Sequence, residues 1–119
     1  MGRVDPILKA LTEHPYEVSW KPHGNSMTPK IYSGEQVFIK RIPVAAYRVG
    51  DIAYAKVKGS FYLHLISAID ETKSRYQISN NHGHVNGWTT GDKLFGICMK
   101  VGEKILITDE QIKKRLDVQ

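Results

Sequence analysis

Apolar residues recur in this chain at two different spacings. Near the N-terminus, Ile7, Leu8 and Leu11 share one face of a helical turn, with Asp5 placed to cap it and Pro6 suited to the first helical position. Pro15 stops that segment, so a short helix is predicted over about residues 5–14. From there to about residue 107 the repeat shortens to two, and turn residues break the chain into short β-rich runs. Strands are predicted at Glu17–Trp20, Gln36–Ile42, Asp51–Val57, Phe61–Ile69, Arg75–Ser79 and Leu94–Val101. Val37 and Ile39 alternate with Phe38 and Lys40, and Leu63 and Leu65 alternate with His64 and Ile66. Lys58-Gly59-Ser60 reads as a hairpin turn, and Ser79–Trp88 as a polar loop joining two strands. The helical spacing returns over about residues 109–117. There Thr108 and Gln111 fit a capping box, and Lys113, Lys114 and Arg115 suit the C-terminal end of the helix dipole. The pattern predicts one mainly β domain over residues 1–119, with its core at about 17–107 and a short helix at each end.

Composition narrows this. A length of 119 residues suits one domain of ordinary size, and 41% apolar with 24% charged residues excludes wholesale disorder and collagen-like repeats. There are 17 Lys and Arg against 12 Asp and Glu, a formal charge of +5. Much of the excess lies between residues 21 and 48, where Lys21, Lys30, Lys40, Arg41 and Arg48 face only Glu35. No helix-turn-helix pattern, zinc-finger spacing or interleaved aromatic motif accompanies them, which argues against nucleic acid as the partner. The same excess leaves a candidate docking surface for a protein. The single cysteine, Cys98, has no partner for an intrachain disulfide, and between Ile97 and Met99 it reads as a small core residue. No apolar run is long enough to span a bilayer, and Asp5 and Pro6 stand where a signal peptide would need its apolar stretch. A soluble, cytoplasmic protein is the expectation.

The candidate chemistry starts at His23-Gly24-Asn25-Ser26-Met27-Thr28-Pro29, a serine among turn-forming residues between two strands. A serine in such a loop is most often a turn former. An ordered series follows it: Gly34-Glu35-Gln36-Val37-Phe38-Ile39, then Arg48-Val49-Gly50-Asp51-Ile52-Ala53-Tyr54, then a hairpin whose second strand carries His64. The series resembles the serine-peptidase superfamily of signal peptidases and self-cleaving SOS-type repressors. The resemblance covers residues 23 to about 101. It implies a partly open β-barrel or coiled sheet, with Ser26 as nucleophile and His64 as general base. An extended protein segment is the implied substrate, and neither cofactor nor metal is called for. Histidine at the base position is similar to the endoplasmic-reticulum and archaeal branch, where the bacterial enzymes and repressors have lysine. Its ordinary pKa of about 6.5 lets it accept a serine proton near neutrality.

Three positions depart from that pattern. The aspartates that orient the base in the histidine branch fall here on Asn80 and Asn86, which can orient an imidazole but cannot stabilise imidazolium by charge. Asp51 and Asp70 are the other acids within reach of consideration. The position of the accessory oxyanion hydroxyl is Gly24, leaving the backbone N–H of Ser26, with Asn25, as the expected donor set. These departures keep open a catalytically silent domain of the same fold that binds proteins. His82-Gly83-His84 invites comparison with a zinc site, but it lacks a neighbouring carboxylate or cysteine and reads instead as part of the polar loop. Self-cleavage of the repressor kind is disfavoured. Only about 20 residues precede the core, too few for a DNA-binding domain, and the Ala-Gly cleavage dipeptide is missing.

Overall fold

A computed structural model describes residues 5–117. Helix α1 (Pro6–Thr12) begins where its cap requires, with the Asp5 carboxylate accepting from the N–H groups of Ile7 and Leu8 at 2.9 Å each. It ends sooner than the pattern suggests. Glu13 is already extended, two residues before Pro15, a residue type that disfavours helical backbone just ahead of it.

Eight strands follow among the described residues. They are β1 (Glu17–Trp20), β2 (Val37–Lys40), β3 (Ile52–Val57), β4 (Ser60–Asp70), β5 (Arg75–Ser79), β6 (Val85–Thr90), β7 (Leu94–Val101) and β8 (Lys104–Ile105). Every pairing is antiparallel, in the order β1-β2-β7-β3-β4-β5-β6, with β8 added to β7. The expected strand at Gln36–Ile42 contracts to Val37–Lys40. The expected loop at Ser79–Trp88 is in large part a strand, because β6 pairs along β5 from Val85 to Thr90. β6 is an edge strand in which only Thr89 is buried, so its sequence carries no apolar signal of a strand.

The sheet coils on itself. The Thr89 hydroxyl of β6 donates to the Lys56 carbonyl of β3 at 2.7 Å, across strands that are not sheet neighbours. Gly87 allows this approach: at φ +143°, a Cβ would lie 3.1 Å from Val57 Cγ1. The mainly β, coiled-sheet expectation therefore holds.

Strand β3 is buried on both faces and divides the core. Ala53, Ala55 and Val57 pack with Ile66, Ile78 and Ile97 on one side. Ile52 and Tyr54 pack with Leu11, Ile39, Cys98 and Val101 on the other. The β3–β4 hairpin closes through Lys58 and Gly59, both at positive φ, as a two-residue turn of the type that follows strand twist. Helix α2 (Asp109–Asp117) starts in the expected capping box: Gln111 N–H donates to Thr108 Oγ1 at 3.2 Å, and Thr108 N–H donates to Gln111 Oε1 at 2.9 Å. No helix among the described residues is long and apolar enough to cross a membrane.

Candidate active site

The turn carrying Ser26 is held from below. Met27 and Ile31, each 5% exposed, sink into the Leu11–Tyr54 side of the core, and Ile31 N–H donates to the Met27 carbonyl at 2.9 Å. The loop ends are fastened by Gly34 N–H to the Pro22 carbonyl at 2.8 Å, and by Gly24 N–H to Ser33 Oγ at 3.1 Å. With its neighbour buried, Ser26 itself stands exposed on the turn. A nucleophile needs that combination of fixed backbone and open side chain.

His64 comes from the middle of β4, opposite Ala53 of β3, and is 8% exposed. Tyr62 lies two residues earlier on the same face, its ring centre 5.0 Å from the imidazole. The His64 Nε2 atom is 3.1 Å from Ser26 Oγ, and Nδ1 is 2.7 Å from Asn86 Oδ1. An amide oxygen only accepts, so Nδ1 carries the proton and Nε2 offers its lone pair to the serine hydroxyl. Burial lowers the His64 pKa below its ordinary value, the Asn86 bond pulls it partly back, and His84 lowers it further. A lowered pKa favours the neutral imidazole.

The other expected residues lie around this pair. Asn80 does not reach His64: its side-chain oxygen accepts from the N–H groups of His82 and His84 at 2.8 and 2.9 Å, bracing the turn between β5 and β6. The Asn25 carbonyl accepts from Thr28 and His82. Asp51 is occupied elsewhere, accepting from Arg48 N–H at 2.7 Å and pairing with the Arg115 guanidinium at 2.7 Å. Asp70 accepts from Lys73 N–H. Cys98 is 1% exposed and its thiol pKa is pushed up to about 11 by burial, which keeps it an inert core residue. Among the described residues, no three His, Cys, Asp or Glu side chains are grouped to hold a metal ion.

Beside Ser26 and His64 opens a cleft of about 170 Å³, walled by Met27, Ile31, Phe61 and Leu63, with His23 and Tyr62 also lining it. A larger groove of about 780 Å³, bounded by Leu11, Tyr16, Arg41 and Phe95, includes neither Ser26 nor His64. The basic face is partly spent within the fold. Lys40 pairs with Asp109 at 2.6 Å, and the Arg48 guanidinium donates to the carbonyls of Ala45, Tyr47 and Arg115.

A family model described as Peptidase S24-like matches residues 6–113. The chain belongs to the Peptidase S24-like family. The match takes in Ser26, His64 and Asn86, and it speaks for a fold of serine-peptidase type. It is a match to the family as a whole and singles out no branch within it. Neither curated proteins nor solved structures return a match to the chain. Sequence reasoning gave Thr28, Asn81 and His82 no part in bracing the Ser26 turn, where their bonds join segments more than 50 positions apart. No periodicity or spacing carries such a link.

Proposed function

We propose that this chain is a serine endopeptidase acting on an extended protein segment, with Ser26 as nucleophile and His64 as general base. The observation that carries the reading is the continuous line Ser26 Oγ–His64 Nε2 and His64 Nδ1–Asn86 Oδ1, at 3.1 and 2.7 Å, in a Peptidase S24-like chain. Ser26 Oγ attacks the scissile carbonyl while its proton passes to Nε2. The developing oxyanion is met by the Ser26 N–H, which donates to no carbonyl or side chain of the described residues. His64 then returns the proton to the leaving amine, and water, deprotonated by the same imidazole, releases the acyl group. Asn86 holds the tautomer through the cycle. A small apolar side chain next to the scissile bond suits the cleft bounded by Met27, Ile31, Phe61 and Leu63. Histidine as base aligns the chain with the endoplasmic-reticulum and archaeal signal-peptidase type, and the basic residues of 21–48 that remain outward offer a protein-docking face.

One observation favours a second reading. His64 has an amide, not a carboxylate, on Nδ1, so imidazolium gains no charge stabilisation there. A silent protein-binding domain of the same fold would tolerate this. Reaction with a serine-directed fluorophosphonate separates the two. The peptidase labels at Ser26, and Ser26→Ala abolishes the labelling. Equal labelling of wild type and Ser26→Ala across pH 6 to 9, a rough window spanning histidine titration, supports the silent domain.

A further inference from the structure

The turn between β5 and β6 grips the nucleophile turn at four points. Asn81 N–H donates to the Ser26 carbonyl at 2.9 Å, and Asn81 Nδ2 donates to the Thr28 carbonyl at 3.0 Å. His82 Nε2 lies 2.9 Å from the Asn25 carbonyl and 3.0 Å from Thr28 Oγ1. A carbonyl cannot donate, so His82 Nε2 carries a proton and gives it to Asn25, with Thr28 Oγ1 sharing it. The Thr28 hydroxyl hydrogen also goes to the Asn25 carbonyl, at 3.0 Å.

Two of these bonds, His82 Nε2–H to the Asn25 carbonyl and Asn81 N–H to the Ser26 carbonyl, fall on the two peptide groups that flank Ser26; the other two tie down Thr28. The Asn25–Ser26 peptide is planar and trans, so its C=O and N–H point in opposite directions. Holding the Asn25 oxygen on the β5–β6 side therefore aims the Ser26 N–H the other way. Holding the Ser26 oxygen through Asn81 fixes the second plane. The same turn leads directly into Asn86, which holds the far side of His64. The segment Asn81–Asn86 thus contacts both members of the Ser26–His64 pair.

We infer that His82, with Asn81, is a positioning residue for this site: its Nε2–H locks the Asn25–Ser26 peptide so that the Ser26 N–H faces the oxyanion. The inference rests on the peptidase reading for its consequence in rate, and on geometry for the lock itself. The lock needs a donor at Nε2, which neutral and protonated imidazole both supply, so charge on His82 is not required. His82 is exposed, and its removal leaves the core intact.

The test compares wild type, His82→Ala and His82→Gln, whose amide N–H reaches the position of Nε2. Fluorophosphonate labelling is resolved into its inactivation rate and its apparent binding constant, and amide hydrogen exchange is followed at Asn81. In His82→Ala the inactivation rate falls about 10- to 100-fold, as for a misaimed oxyanion donor, with binding nearly unchanged. The Asn81 amide exchanges at least about 10-fold faster while Ile78 in β5 does not, since only the local opening has become easier. His82→Gln restores the rate to within about 3-fold, a residual of well under 1.4 kcal/mol. An unchanged inactivation rate in His82→Ala, or a loss that His82→Gln fails to rescue, overturns the inference. If wild type labels no better than Ser26→Ala, the peptidase reading falls on its own account. Amide exchange then decides the lock: faster Asn81 exchange in His82→Ala supports it, and equal exchange overturns it.

Discussion

At the scale of single residues, the proposed chemistry depends on a histidine that is nearly enclosed and yet meets a serine in the open. Burial lowers the His64 pKa, so the neutral base form dominates above a midpoint that lies below the ordinary value of about 6.5. The rate of fluorophosphonate labelling should therefore rise with pH through that midpoint and level off near neutrality. A rate still climbing at pH 9, in the manner of a lysine base, contradicts this assignment. Asn86 sets the second expectation. Replacing it with aspartate puts a carboxylate against Nδ1–H, which favours imidazolium. In Asn86→Asp the midpoint should move up and the plateau rate should increase by about 10-fold or more, the reverse of the loss known for triads whose aspartate becomes asparagine. Asn86→Ala frees the ring, and labelling should drop by at least about 10-fold. The residue types for this chemistry were legible along the chain. Which of two asparagines touches the base was not, because Asn80 and Asn86 differ only in where the β5–β6 turn leaves them.

At the scale of elements, local signals were strongest where a few adjacent residues complete a motif. The Asp5 cap, the Thr108–Gln111 box and the Lys58–Gly59 hairpin all formed as their residues dictate. Strand β6 escaped detection because only Thr89 of its residues is buried and Gly87 interrupts any β-rich run. Helix α2 docks through a contact no motif announced, the Arg115 guanidinium on Asp51 at 2.7 and 3.1 Å, beside the Arg115 bond to the Ala46 carbonyl at 3.0 Å. The Asp51 side chain is only 9% exposed, so losing its partner leaves a poorly solvated carboxylate. Arg115→Ala should cost about 1.5–3 kcal/mol in urea unfolding, with little effect on the labelling rate. The Lys40–Asp109 pair is more exposed, and Lys40→Ala should change stability by under about 1 kcal/mol.

At the scale of the whole molecule, the coil of the sheet decides where the site lies. Strand β6 returns to β3 through Thr89, and this return carries Asn86 to His64 and the Asn81–His82 turn to the nucleophile loop. Gly87 sits at the point of closest approach. Gly87→Ala pushes a Cβ to 3.1 Å from Val57 Cγ1 and 3.3 Å from Lys58 Cε, at a φ of +143° that side chains disfavour. The expected cost is about 1–3 kcal/mol, a fall in Tm of several degrees. Labelling should slow as well, since the strain falls next to Asn86. A Gly87→Ala protein with wild-type Tm and wild-type labelling contradicts the role given to this closure.

Much was settled along the chain alone. Period-two apolar runs, the caps and the hairpin turn depend on near neighbours, and they define a mainly β protein with a helix at each end. The order of the Ser26, Gly50-Asp51 and His64 segments pointed to the family that residues 6–113 match. Tertiary packing decided the rest, because its contacts close between residues far apart in sequence. His64 meets Ser26 across 38 positions and Asn86 across 22. Asp51, a candidate acid by type, is taken by Arg115 from 64 positions away. Residue type and local spacing say which groups can accept or give a proton. Whether two of them lie within hydrogen-bond reach follows from how far the sheet coils.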